Sequence, residues 1–332
     1  MNNQNNRLDY IDKLRGFAIL LVVLGHLYLP YTKEGALHPV AEMIYSFHMP
    51  LFFFISGYLC EITHKIDRNG SIAFIKKKSV ALIVPYLFWL IGGNLIFFHG
   101  HIQSVEDLFE LFCFFPNLHY WFMPVLFIMM ILYLFQYKLI NRHDTYQNRL
   151  IFMLAIMSCF CICGILFHQY FLLVYAIYIG SFFFGSLLNR FEEIMIFLKS
   201  DKVLGGVVMV LCLTWLVYPL DTHGVPMRSM FNIFGNAICA LCASVFFLNF
   251  FIRYKFHKLF DWFFVEMGKM SIVIYLTPII LLPDGLKLSG YSVATENLII
   301  LSLGIMQCMV AYGIGKIVYE IPFLKTLLYG KR

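Results

Sequence analysis

The chain has 332 residues, of which 61% are hydrophobic and only 13% charged, which excludes an ordinary soluble domain, nearer half apolar. Apolar runs of roughly 17 to 25 residues recur along its whole length, as crossing a hydrocarbon core of ~30 Å requires. The net charge of +6 is explained below by topology, and no nucleic-acid partner is read from it.

The apolar runs lie at about 15–31, 43–60, 79–98, 120–137, 150–167, 170–188, 203–218, 231–251, 271–283 and 297–316. They predict an all-α, polytopic integral membrane protein of about ten transmembrane helices, forming one membrane domain over 1–332. The polar start before the first run carries no small-residue cleavage site, so that run is kept as a helix and not as a signal peptide. With the N-terminus placed in the cytoplasm, all of the 25 lysines and arginines except Lys33, Arg228 and Lys287 fall on the inner side. That asymmetry predicts both termini to be cytoplasmic.

The first run, LRGFAILLVVLGH, carries Arg15 and His26. Eleven residues at ~100° each end about 20° past three full turns, so both project from one helix face, about 16 Å apart along the axis. Arg15 is expected at the inner interface and His26 near mid-membrane and buried. An ionisable group at that depth needs a reason. An imidazole there is a candidate general base, or a histidine bonded to a neighbouring helix.

In the second run, YSFHMPLFFFISGYLCE, His48 lies near the outer end. Ser56 and Gly57 lie near the inner end, where small residues let helices approach closely. Before the third run stand Lys76, Lys77 and Lys78, the densest basic stretch. They suit the phosphates of a cytoplasmic ligand and equally the anchoring of an inner loop on anionic lipid. The outer loop 99–119 holds His99, His101, Glu106, Asp107 and Glu110 and is long enough for a lid or acceptor platform. The fourth run opens with His119, Tyr120 and Trp121 at the outer interface, where aromatics also gather without function. The run 203–218 is short. So is 271–283, which contains Pro278, a residue that disfavours straight helix.

No cysteine spacing matches a metal site, so none is expected. Cys159, Cys161 and Cys163 alternate along one run, and Cys239 and Cys242 share a face with no histidine partner. No Walker, Rossmann, HExxH or GxSxG pattern is present. The residues leave three readings open: a membrane enzyme, a transporter or flippase for a lipid-linked glycan or small solute, and a scaffold or sensor. The absence of internal repeat halves weighs against transport; the short, proline-bearing ninth run favours it.

These motifs, in this order over nearly the full chain, resemble membrane acyltransferase family 3, which includes bacterial O-acetyltransferases of surface polysaccharides. IDKLRGFAILLVVLGH is similar to the family's first-helix signature at Arg15 and His26. FFFISG is similar to its FFxxSG signature at Phe53, Phe54, Ser56 and Gly57. HYWFMPVLF is similar to its WFL stretch at Trp121 and Phe122, and IPFLKTLLYGKR to a common ending. Two departures stand out. Of a basic pair usual before the third-helix proline, Lys78 is basic and Ala81 is not, and Pro278 occupies a position where relatives often carry histidine.

The resemblance implies a multi-pass protein of a bacterial plasma membrane, surrounded by membrane lipid. It implies transfer of an acyl group from cytoplasmic acyl-CoA, usually acetyl-CoA, to a hydroxyl of a glycan or lipid-linked sugar. Arg15, with Lys76, Lys77, Lys78, Ser56 and Gly57, would then serve the donor. His26, with Arg15, would carry catalysis. His48, His119 and Trp121 would line the acceptor side.

Overall fold

The structure, a computed structural model, describes residues 3–32, 38–63, 66–96, 120–140, 143–217, 230–277, 287–288 and 290–331. His119, Pro278, Lys33, Arg228 and the loop 99–118 lie outside the described residues. Every regular element within them is helical. In chain order these are α1 (Asn3–Tyr31), α2 (Pro39–Thr63), α3 (Ile66–Lys78), a π-helical turn (Ser79–Ile83), α4 (Val84–Ile96), α5 (Phe122–Ile140), α6 (Tyr146–Leu166) and α7 (Tyr170–Arg190). There follow α8 (Glu192–Leu198), α9 (Asp201–Val217), α10 (Met230–Arg253), α11 (Lys258–Lys269), α12 (Ser271–Leu276), α13 (Val293–Tyr319) and α14 (Pro322–Tyr329).

Among the described residues, seven helical segments are long and apolar enough to cross a membrane. They are Asp9–Tyr31, Pro39–Glu61, Phe122–Ile140, Tyr146–Leu166, Phe171–Arg190, Gly235–Arg253 and Val293–Tyr319. They account for seven of the ten expected runs. The other three meet shorter helices: α4 has 13 residues behind its π turn, α9 has 17 and α12 has six. Large apolar side chains such as Ile151, Leu154 and Ile162 on α6, and Leu298, Met306 and Ile317 on α13, are exposed. Such a surface suits lipid and not water.

The described chain gathers into two compact units. The first comprises Met1–Ile62 and Thr145–Tyr312 and the second Thr63–Asp144 and Gly313–Arg332. In the first unit, glycines bring helices into backbone contact. A Cβ on Gly57 would fall 1.8 Å from the Phe182 carbonyl oxygen, and one on Gly185 would fall 2.0 Å from that of Phe54. Hence α2 and α7 meet at van der Waals distance. The same device joins α1 to α11, where a Cβ on Gly16 would reach Phe264 O and one on Gly268 would reach Asp12 O. This contact explains why α1 begins twelve residues before Arg15. Ile11, Leu14 and Ala18 are fully buried on one stripe of that polar first stretch, and Lys13 pairs with Asp261 at 2.7 Å.

In the second unit, α14 starts on Pro322 and is closed by Gly330 in the left-handed conformation, φ 64°, a usual helix stop. A Cβ on Gly330 would strike Ala81 of the π turn. Trp89 Nε1 donates to the Leu328 carbonyl at 2.9 Å. The C-terminal residues are thereby fixed against the turn that follows Lys78.

Candidate active site

The site is built on two helices of the first unit, each loosened by a proline. In α1, Pro30 has no N–H to give the carbonyl of His26. In α2, Pro50 likewise has none for Ser46. Irregular backbone at membrane depth persists only against protein or a wet cavity. Along the His26 face of α1, cover ends abruptly. Ile19, Val22 and Val23 are buried at 1, 5 and 2% exposure, whereas His26, Leu29 and Pro30 are exposed. The opposite side, with Leu24, Leu27, Tyr28 and Tyr31, stays buried throughout. His26 therefore sits where the packed part of that face ends and an uncovered stretch begins.

This corrects the expectation that His26 is buried. A second histidine, His48, is buried and belongs to the same neighbourhood. His48 Nδ1 lies 2.8 Å from the Ile44 carbonyl. A carbonyl only accepts, so Nδ1 carries the proton, and in the neutral ring Nε2 is the acceptor. The two imidazoles are close enough to act on each other electrostatically. Tyr45 joins them: its hydroxyl donates to the Gly25 carbonyl at 3.0 Å, and its ring stands edge-on to that of His48, with centroids 5.1 Å apart. Spacing alone had separated His26 and His48 into mid-membrane and outer positions. The pairing of α1 with α2 brings them together.

Arg15 shares the His26 face, as expected, but Ile19 and Val22 fill the stripe between them. Its guanidinium is already engaged, donating to the Gly268 carbonyl at 3.3 Å and lying 3.4 Å from an Asp12 carboxylate oxygen. Gly57, expected on the donor side, is accounted for by the α2–α7 contact, and Ser56 is half-buried beside it. Lys76, Lys77 and Lys78 belong to the second unit. Lys76 and Lys77 are exposed, and Lys78 lies over the Phe74 ring at 5.5 Å. Trp121 also belongs to that unit, half-buried in the turn before α5. Next to it, Tyr120 is buried. His119 lies outside the described residues.

Two polar groupings are absent from the sequence reading. The first is a buried ion pair. Arg149 donates to both the Glu61 carboxylate and Ser186 Oγ, and Ser186 Oγ donates to the same Glu61 oxygen at 2.8 Å. The Arg149 and Glu61 side chains are 6 and 4% exposed. Counting charges placed Arg149 among the inner-loop cations. A cap signal was available: Thr145 accepts from Asn148 N and starts α6 four residues before the apolar run. That start carries Arg149 into the first helical turn, facing α2 and α7.

The second grouping surrounds Tyr28. Its hydroxyl donates to Asn297 Oδ1 at 2.6 Å, its ring stacks on His38 at 4.7 Å, and Glu296 is buried within electrostatic reach. The apolar run starts at 297, whereas α13 starts at Val293 and so includes Glu296. Among the described residues, no group of three or more His, Cys, Asp or Glu side chains is gathered as a metal would require.

A family model described as an acyltransferase domain matches residues 8–315 of the chain. The nodulation protein NolL of Sinorhizobium fredii (strain NBRC 101917 / NGR234) is 43% identical over 89 residues, which are 26% of this chain and 24% of that protein. NolL of Mesorhizobium japonicum (strain LMG 29417 / CECT 9101 / MAFF 303099) is 42% identical over 89 residues, 26% of this chain and 23% of that one. The chain thus matches about a quarter of the length of these curated relatives. No solved structure matches it.

Proposed function

The chain belongs to the acyltransferase domain family, and on that premise we propose that it is a membrane O-acyltransferase. The donor is acyl-CoA, in the simplest case acetyl-CoA, on the cytoplasmic side. The acceptor is a hydroxyl of a surface glycan or lipid-linked sugar. The protein is proposed to reside in a bacterial plasma membrane with ten spans and both termini inside.

The observation that carries this reading is His26, an exposed imidazole where the packing of α1 stops, beside the buried His48. A sugar hydroxyl is a weak nucleophile while it keeps its proton. His26 takes that proton as the oxygen attacks the thioester carbonyl carbon. The tetrahedral intermediate then collapses, the C–S bond breaks, and the thiolate of CoA leaves and is protonated. The ester remains on the sugar. Arg15 and the Lys76–Lys78 run serve the donor phosphates, with Ser56 and Gly57 in the helix between site and inner face. His48, His119 and Trp121 serve the acceptor side. Ile19 and Val22 must yield for the pantetheine arm to travel along the Arg15–His26 face.

The test is transfer of labelled acetyl from acetyl-CoA to a glycan acceptor by the purified protein in detergent, for wild type and His26→Ala. Transfer by the wild type that is lost in the variant supports the reading. The short α12 favours the competing reading, a transporter for a lipid-linked glycan. That protein would move label across vesicles without forming an ester.

A further inference from the structure

We propose that Tyr45 is the positioning residue of the transfer site, holding the turn of α1 that bears His26 and the ring of His48 in one arrangement. The proposal rests on the acyltransferase reading above.

The turn that carries His26 is weakened from within. Pro30 offers no N–H to the His26 carbonyl, and the side chains of His26, Leu29 and Pro30 are exposed. A bond from outside the helix to such a turn helps to hold the base it bears. Tyr45 supplies that hold one residue earlier, through its hydroxyl on the Gly25 carbonyl at 3.0 Å.

The other end of the same side chain meets His48. The Tyr45 ring lies edge-on to the imidazole, 5.1 Å between centroids and 76° between planes, an arrangement aromatic pairs favour. The far side of His48 is fixed by its bond to the Ile44 carbonyl. α2 is itself loosened just beyond, where Pro50 cannot donate to Ser46. Tyr45 therefore ties the weakened turn of one helix to that of the other, at the level of both imidazoles. The geometry of a reacting pair tolerates little error, since a 1 Å displacement can cost about 100-fold in rate. A hydroxyl-to-carbonyl bond beside the base is an economical way to hold it.

The decisive variant is Tyr45→Phe. It keeps the ring against His48 and the packing, and removes only the hydroxyl. Full-length wild type, Tyr45→Phe and His26→Ala are purified in detergent and assayed for acetyl transfer, with kcat and KM for each substrate and thermal unfolding measured in parallel. The expected result is a kcat lowered by about tenfold, with unchanged KM for acetyl-CoA and a wild-type unfolding temperature. The inference is overturned if Tyr45→Phe keeps wild-type kcat, if only KM changes, or if its activity falls only in step with its stability or folded yield, which would make Tyr45 a structural pin. A wild type that transfers no acyl group refutes the acyltransferase reading itself, and this inference falls with it.

Discussion

Replacing Arg149 by methionine removes a cation bonded to a Glu61 carboxylate that is 4% exposed. Methionine keeps much of the volume and removes the charge. The carboxylate then keeps the Ser186 hydroxyl at 2.8 Å but loses the charge of Arg149. Breaking a buried pair from one side costs about 3–5 kcal/mol, because the orphaned charge stays desolvated. The double variant Glu61→Gln/Arg149→Met removes both charges and should recover most of that loss. A coupling of at least ~1.5 kcal/mol is expected, within the range measured for contacting residues. Arg253 and Asp201 provide the control. Their contact is as close, but the Asp201 side chain is 90% exposed, so breaking it should cost under ~1 kcal/mol. Unfolding in detergent, followed by labelling of thiols buried in the native fold such as Cys60 and Cys239, reports the wild type, the two single variants, the double variant and the Asp201→Asn control on one scale. If Arg149→Met unfolds no earlier than Asp201→Asn, or if the double variant is worse than either single one, the pair does not brace α2, α6 and α7 as described.

Three further outcomes follow from the same geometry. Gly57→Ala should destabilise the protein by more than the ~1–3 kcal/mol of ordinary overpacking, since its methyl meets the backbone of Phe182; a wild-type unfolding curve would contradict the close α2–α7 contact. Arg15→Glu should weaken CoA binding, measured by calorimetry, far more than charge reversal at the exposed Lys202, whereas equal effects would mean that both residues only anchor the inner surface. Reporter fusions at Asn2 and Arg332 should both give cytoplasmic signals, and an outer signal at either end would rule out ten spans with both ends inside.

Much of this architecture is legible in the sequence because membrane burial writes itself in long apolar runs. Seven of those runs end within a few residues of a helix long enough to span a bilayer. Helix starts were harder to read, because α1, α6 and α13 all begin in polar residues that hydropathy discards. The starts of α1 and α6 depend on an amphipathic stripe against α11 and on the Thr145 cap. Those extensions are what place Glu61–Arg149 and Tyr28–Glu296 inside the protein. The alignment of Arg15 with His26 follows from helical spacing alone and holds. The exposure of His26 does not follow, since it depends on which neighbours cover α1 and where they stop. The meeting of His26, Tyr45 and His48 was equally hidden, because it is set by the register of α1 against α2.

The central claim is that His26 is the base of an acyl transfer. The most direct measurement is single-turnover transfer of labelled acetyl from acetyl-CoA to a glycan acceptor by wild type, His26→Ala and His26→Gln, with CoA binding measured on the same preparations. Loss of at least ~100-fold in both variants, the scale of general-base catalysis, with CoA binding intact, is the predicted result. Near-normal transfer by either variant would contradict it and move the role of base to His48.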